Sequence, residues 1–77
     1  MAVINYDNYH NIINPDLGIL TSFEAKVWDC FHMEGLSPRL ISQRYDTDLS
    51  TTISFINAIV GKLLRVQDAN VDDKQER

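Results

Sequence analysis

The most regular pattern of apolar and polar positions begins at Leu20. From there apolar residues repeat at steps of three and four, the spacing that gathers side chains on one face of an α-helix. A first helix is predicted to start at Thr21, because Glu24 three residues later completes a capping box. Gly35 is expected to end it, since glycine adopts the left-handed conformation at low cost. The predicted inward side chains are Phe23, Val27, Cys30 and Phe31, with Trp28 beside them.

Two more helices are predicted after Gly35. Ser37 is a capping residue, and Pro38 suits the first position of a short second helix. The expected inward side chains of that helix are Leu40, Ile41 and Tyr45. A turn at 46–48 follows, after which either Asp48 or Ser50 caps a longer third helix. Its inward stripe is predicted to be Thr52, Ile56, Ile59 and Leu63, widened by Ile53, Val60 and Leu64.

This order of helices predicts the architecture. A helix, a glycine turn, a short helix, a second turn and a longer helix form a helix-turn-helix. We therefore predict an all-α fold, a small three- to four-helix bundle with a helix-turn-helix domain at residues 20–65.

The pattern is weaker on both sides of this domain. Residues 1–19 form an N-terminal segment that is either an arm or a short helix, because its asparagines weaken a helical spacing of apolar residues. The members of that spacing are Val3, Tyr6, Tyr9 and Ile13. Asn14–Pro15–Asp16 is predicted to be a turn. Residues 66–77 are predicted to be a polar acidic tail or a frayed helix end.

Composition narrows the class of protein. The chain has 77 residues, 44% of them hydrophobic, which is one small globular domain near the lower size limit. The single cysteine, Cys30, cannot form an internal disulfide, which suits a reducing cytoplasm. No apolar run is expected to reach the length of a membrane span, and the first residues do not resemble a signal peptide. The sequence thus predicts a cytoplasmic protein that does not enter a membrane.

Candidate catalytic chemistry is sparse. Neither His10 nor His32 has a partner at a useful spacing, so both are expected to be surface or half-buried side chains. Cys30 occupies an apolar helical position and is expected to lie in the core. We find no phosphate-binding glycine loop and no metal motif, so the chain is not expected to be an enzyme or to bind a cofactor or metal.

The net charge of −4 is unevenly distributed. Residues 1–36 carry five acidic side chains and one lysine, and residues 66–77 carry four acidic and two basic ones. Residues 37–65 carry four basic and two acidic side chains. The middle of the chain is therefore mildly basic, which permits DNA binding without requiring it.

Residues 20–65 resemble a known family. The matching positions are Leu20, Glu24, Val27, the run Glu34–Gly35–Leu36–Ser37, Ile41, Ser50–Thr51 and Leu63–Leu64. With them the segment resembles region 4 of the sigma factors, especially the extracytoplasmic-function group, without a gap. With one residue inserted in the first helix, it is also similar to the DNA-binding domain of LuxR-type regulators. Both resemblances imply a helical domain whose third helix contacts promoter DNA.

A DNA interface is predicted on the second and third helices. It departs from the sigma pattern because Lys62 is the first basic residue of the third helix, where the family has several on the exposed face. The predicted contacts to phosphates and bases come from Ser37, Arg39, Gln43, Arg44, Ser50, Thr51, Thr52, Ser54, Asn57 and Lys62. Since a monomer with so few basic residues would bind DNA weakly, a homodimer on a promoter or operator is predicted.

The alternative function is protein recognition. Ile53 and Phe55 give the third helix an apolar outer side, which suits a protein partner better than a phosphate. In that case the domain is an adaptor or antagonist that docks on RNA polymerase or on another regulator and does not bind DNA. Alternatively, Phe55 packs under the N-terminal segment, against Tyr6, Tyr9 and Ile13.

Overall fold

The described part of the chain folds into four α-helices. The structure is a computed structural model that describes residues 3–13 and 15–75, with side chains as far as residue 67. Helix α1 spans Tyr6–His10, α2 Ser22–Trp28, α3 Pro38–Arg44 and α4 Leu49–Gln75. A 3₁₀ turn at Leu17–Ile19 precedes α2, and a π-helical turn at Asp29–Met33 continues it. The described residues contain no strand, so the all-α prediction is confirmed.

The helix boundaries follow the predicted capping residues. The Thr21 amide donates to the Glu24 carboxylate at 2.9 Å, and the Glu24 amide donates to the Thr21 hydroxyl at 3.2 Å. Ser37 accepts a hydrogen bond from an amide of α3, and Pro38 is the first residue of that helix. Helix α4 begins directly after Asp48. Of the two predicted caps for that helix, Asp48 is therefore the correct one and Ser50 lies inside it.

The predicted C-terminal tail is mostly a continuation of α4. The backbone of α4 remains helical through Gln75, so residues 66–75 continue the helix and do not form a separate tail. Residues 76 and 77 lie outside the described residues. So does Asn14, the first residue of the turn predicted at 14–16.

The π-helical turn was not predicted. The Glu34 amide donates to the Asp29 carbonyl at 3.0 Å, a bond that encloses one residue more than an α-helical turn. This wider turn places Cys30 and Phe31 inward together with Val27 and Trp28. The chain then leaves the helix at Gly35, whose φ of 70° confirms the predicted left-handed end.

The core lies where α2, the π-helical turn and α3 pack against α4. The whole predicted stripe of α4 is buried or half-buried, including Ile53, which is only 8% exposed. Phe23 and Leu40 were expected to point inward, but they are 46% and 49% exposed, and those two predictions are wrong. The buried apolar side chains are Ile4, Val27, Trp28, Cys30, Phe31, Ile41, Ile53, Ile56, Ile59, Val60 and Leu63.

Residues 3–13, called here the N-terminal arm, run along α4. The arm contains only one short helix, α1, so Val3 and Ile13 fall outside it and are exposed, contrary to the predicted stripe. Ile4 is buried instead, and Tyr9 and Ile12 pack against the core. Tyr9 lies edge-on to Trp28, with ring centroids 5.8 Å apart.

Two glycines give a test of the backbone geometry. Gly35 has a φ of 70°, whereas Gly61 lies inside α4 with open space where a Cβ would stand. Gly35→Ala is expected to lower the free energy of unfolding by about 1 kcal/mol, because L residues are strained at that φ. Gly61→Ala is expected to raise it by about 0.5–1 kcal/mol, because alanine favours the helix. Urea unfolding followed by circular dichroism measures both, and effects of the same sign would contradict the assigned conformations.

Candidate nucleic-acid interface

The helix-turn-helix pair consists of α3, a four-residue turn at 45–48 and α4. The turn is fixed by two backbone hydrogen bonds, from the Asp46 amide to Gln43 and from the Thr47 amide to Ser42, at 3.4 and 2.9 Å. Asp46 adopts a φ of 54°, the left-handed conformation that aspartate tolerates better than most residues. The turn thereby fixes the start of α4 next to the end of α3.

Six of the predicted DNA-contacting residues lie exposed on this pair of helices. They are Ser37, Arg39 and Gln43 on or beside α3, and Ser50, Thr51 and Ser54 on α4. Ser50 and Ser54 are four residues apart, which places them on one face of α4. The Thr51 hydroxyl donates to the Asp48 carboxylate at 3.1 Å. Apart from Leu49, which is 37% exposed, the exposed side chains of the first two turns of α4 are therefore small and polar.

Arg44 is exposed but already has partners. Its guanidinium donates to the Cys30 sulfur at 3.3 Å and to the Glu34 carboxylate at 3.4 Å. The hydrogen bond to Cys30, followed by the charge of Glu34, raises the pKa of Arg44 above its ordinary value. About half of each side chain of the ion pair is exposed, so the pair contributes little and is easily exchanged for another anion.

Three other side chains that were predicted to contact DNA are already hydrogen-bonded to other residues of the domain. Thr52 is 5% exposed and its hydroxyl lies 2.8 Å from that of Thr47. The Asn57 side chain accepts from the Asn5 amide and donates to the Val3 carbonyl. While the arm is bound, the Asn57 side chain is therefore not available to contact a base. Thr52 cannot contact DNA because it is buried.

Lys62, the last of these predicted contacts, is tied to α2. Its ammonium donates to both carboxylate oxygens of Glu24, at 2.7 and 2.9 Å. The Glu24 side chain is only 14% exposed, so the pair is partly shielded from water. This hydrogen bond, followed by the one from the Thr21 amide, lowers the pKa of Glu24 below its usual 4.5.

The lowered pKa of Glu24 gives a pH test. Because folding favours the charged carboxylate, the ion pair adds stability above pH 4.5, and this contribution is lost as the pH falls through the lower folded pKa. Glu24→Gln keeps the capping box and removes the charge. We expect it to lower the urea midpoint at neutral pH and to differ less from wild type below pH 4.5. Glu34→Gln, at the exposed pair, is the matched control and should change little; equal effects at neutral pH would contradict the assignment.

The predicted protein-contact residues occupy two different environments. Ile53 belongs to the core, so its assignment to an outer apolar surface is wrong. Phe55 is half-buried and its ring centroid lies 5.3 Å from that of Phe23. It does not pack under the N-terminal segment, as the alternative prediction held, because its neighbours belong to α2, α3 and the start of α4.

Phe55 lines a cavity of about 70 Å³ between α2, α3 and α4, called here the aromatic groove. Phe23 also lies 5.3 Å from Tyr45 in an edge-to-face arrangement. The threonine hydroxyls at the groove are paired with one another or with Asp48, and the Tyr45 hydroxyl lies 3.8 Å from the Cys30 sulfur, which leaves the lining apolar. The lining residues are Phe23, Val27, Ile41, Tyr45, Thr47, Thr51, Thr52 and Phe55. Sequence reasoning missed Phe23 and Tyr45 here, because helical spacing alone assigns them to the core.

Sequence reasoning also missed that the basic side chains of the interface are balanced by acidic ones. Arg39 and Arg44 are accompanied by Asp46 and Asp48 in the turn between the two helices, so this surface has no net charge. The positive net charge of residues 37–65 comes only from Lys62 and Arg65. Lys62 is neutralised by Glu24, and Arg65 lies well beyond the exposed serines along α4.

One helical segment meets the length and composition of a membrane span. It is Leu49–Gln67, 19 residues of α4, so the expectation that no apolar run reaches this length is wrong. The same segment supplies Ile56, Ile59 and Leu63 to the core. The core helix of a soluble bundle has the same composition, so this is weak evidence for a membrane.

No protein-family model, curated protein or solved structure matches the chain. The fold class therefore rests on the helices themselves. The function has to be inferred from the two surfaces that these helices form, the polar face of α3 and α4 and the aromatic groove.

Proposed function

We propose that the chain is a small cytoplasmic transcriptional regulator whose helix-turn-helix binds promoter DNA as a homodimer. The observation that carries this proposal is the polar surface of the helix-turn-helix, on which six predicted contact residues of α3 and α4 are exposed. Ser50 and Ser54 are small, so the backbone of α4 can approach a base edge closely, and Thr51 can contact a thymine methyl group or a phosphate. Arg39 and Arg44 can bind phosphates from α3.

The charge balance limits how tightly one monomer can bind. Phosphate contacts provide most non-specific affinity, and Arg39 and Arg44 are the two basic side chains of α3 that can make them. Arg44 must exchange Glu34 for a phosphate, which costs little because the pair is exposed. A dimer doubles the number of contacts, so binding by a dimer to a two-fold site is the form of the function that these charges favour.

The direct test is a fluorescence anisotropy titration of DNA from upstream of the gene, with random DNA as the control. We expect preference for the upstream fragment and a logarithm of affinity that falls linearly with the logarithm of salt concentration. Two phosphate contacts per monomer predict a slope of about −2 per monomer, or about −4 for a dimer. Equal weak binding to both fragments, or no binding at low salt, would contradict the proposal.

The aromatic groove favours a second candidate function. Phe23 is 46% exposed at its rim, and its floor is formed by buried side chains such as Val27 and Ile41. An exposed apolar cleft of this kind is typical of a protein contact. On this hypothesis the domain is an adaptor or antagonist that docks on RNA polymerase or another regulator, with Phe55 in the contact.

The two candidates differ in what Phe23→Ser does. If the polar face is the functional surface, this variant is expected to bind DNA as the wild type does. If the groove is the functional surface, the variant is expected to lose its complex with RNA polymerase in sedimentation, and the wild type to ignore DNA. Phe23 is preferred to Phe55 for this comparison because it is more exposed, so its replacement disturbs the fold less.

A further inference from the structure

We propose that the N-terminal arm is an autoinhibitory cover that masks the third turn of α4 and competes with DNA for it. This inference rests on the proposed DNA-binding function and adds a means of regulating it. Its basis is a pair of side-chain amides on α4 that hold the arm by its backbone, one near each end.

The two amides bind the arm in the same way. Asn57 accepts from the Asn5 amide at 2.9 Å and donates to the Val3 carbonyl at 2.8 Å. Gln67 accepts from the Ile13 amide at 2.8 Å and donates to the Asn11 carbonyl at 2.8 Å. Each side chain thus uses its donor and its acceptor on one stretch of arm backbone.

The first of these contacts lies at the edge of the candidate DNA face. Asn57 follows Ser50 by seven residues, which is two helical turns, so the two side chains lie almost directly in line along α4. Ser54 lies between them, within about 60° of both. A duplex that follows α4 past Ser54 would therefore meet residues 3–5 of the arm before it reached Asn57.

The chemistry at Asn57 makes the arm a competitor as well as an obstacle. A side-chain amide that pairs with a peptide N–H and C=O offers the same donor and acceptor that pair with the edge of adenine. The arm also contains one acidic residue, Asp7, and no lysine or arginine. Its presence beside the duplex therefore adds a negative charge where phosphates would approach.

The arm is held firmly enough to cover α4 and weakly enough to leave it. Ile4, at 9% exposure, is its only buried apolar side chain, while Val3, Tyr6 and Ile13 are exposed. Tyr9 and Ile12 are half-buried against the core. The Tyr9 hydroxyl lies 2.7 Å from Nδ1 of His32, which is itself exposed. Most of the polar contacts that hold the arm are open to water, so their net contribution is small and release is readily reversible.

The test uses the full chain with the arm loosened at both ends. Ile4→Ala removes the buried anchor and Gln67→Ala removes the distant amide, which lies about 100° around α4 from Ser50 and outside the DNA face. Hydrogen exchange of the Asn5 amide reports release of the arm, because its acceptor, Asn57, is unchanged in this variant. We expect the double variant to exchange this amide faster and to bind upstream DNA roughly tenfold more tightly, because a larger fraction of molecules is open. Ile13→Ala is the matched control, since that side chain is 85% exposed, and it should change neither quantity.

The outcomes separate the two proposals. Faster exchange with unchanged DNA affinity would overturn the cover and leave the DNA-binding function standing. An Asn5 amide that stays protected in the double variant would also overturn it, because the arm would then be a fixed part of the fold. Wild type and variant that both ignore DNA, although the arm is released, would remove the proposed function and the cover with it. Exchange of the Ile59 amide in the core checks that the domain remains folded.

Discussion

Replacement of Trp28 by alanine is expected to remove a large share of the free energy of unfolding. Trp28 is 2% exposed and is the largest fully buried side chain. It stacks on His32, with ring centroids 4.9 Å apart, and lies edge-on to Tyr9 of the arm. Truncation of a buried tryptophan costs about 3–5 kcal/mol. The free energy of unfolding of a domain of this size is expected to be only about 4–12 kcal/mol.

The comparison for Trp28→Ala is Phe23→Ala, an aromatic truncation at the rim of the bundle. Phe23 keeps nearly half of its surface in water, so its loss should cost only about 1–2 kcal/mol. Urea unfolding followed by far-ultraviolet circular dichroism measures both variants, because the first one lacks the only tryptophan. Equal losses of stability in the two variants would mean that the centre of the core does not lie at Trp28.

Signals that act within one turn of the chain could be predicted from sequence. The capping box of Thr21 and Glu24, the cap at Ser37 and the left-handed glycine at 35 depend on neighbours three or four residues away. The same holds for the inward stripe of α4, since its period is a property of the helix itself. These elements sufficed to predict the fold class.

Features that depend on distant partners could not be predicted. An amide side chain such as Asn57 pairs equally well with a peptide group or with a base, and the sequence does not say which one is near. Lys62 was assigned to DNA because Glu24, its partner, lies 38 residues earlier in the chain. Phe23 was assigned to the core because helical spacing does not reveal that the first turn of α2 lies at the rim of the bundle.

The π-helical turn has a similar explanation. Spacing alone assumes that each helical turn contains the same number of residues, whereas the turn at Asp29–Met33 encloses one more. A wider turn is the means by which a helix can hold an extra residue without losing the direction of its axis. The pattern of apolar residues does not show where such a turn lies, so its position could not be predicted.

The second large effect concerns the two arginines of α3. The double variant Arg39→Ala, Arg44→Ala is expected to lose nearly all DNA binding at physiological salt, because these are the two basic side chains of α3. The slope of affinity against salt should fall by about one for each phosphate contact that is removed. Circular dichroism should remain native, since both side chains are exposed and replacing Arg44 removes only an exposed ion pair and one hydrogen bond to the Cys30 sulfur.

The matched control for the single variant Arg39→Ala is Lys26→Ala, which removes the same charge from an exposed position on α2. If binding depended only on the net charge of the protein, both single variants would weaken it equally. A specific contact on α3 requires that Arg39→Ala reduce the affinity and the salt slope while Lys26→Ala leaves the slope unchanged. Equal losses would move the DNA site away from α3, and an unchanged affinity in the double variant would exclude the polar face as a DNA-binding surface. In that last case the aromatic groove would be the surface left to explain the function.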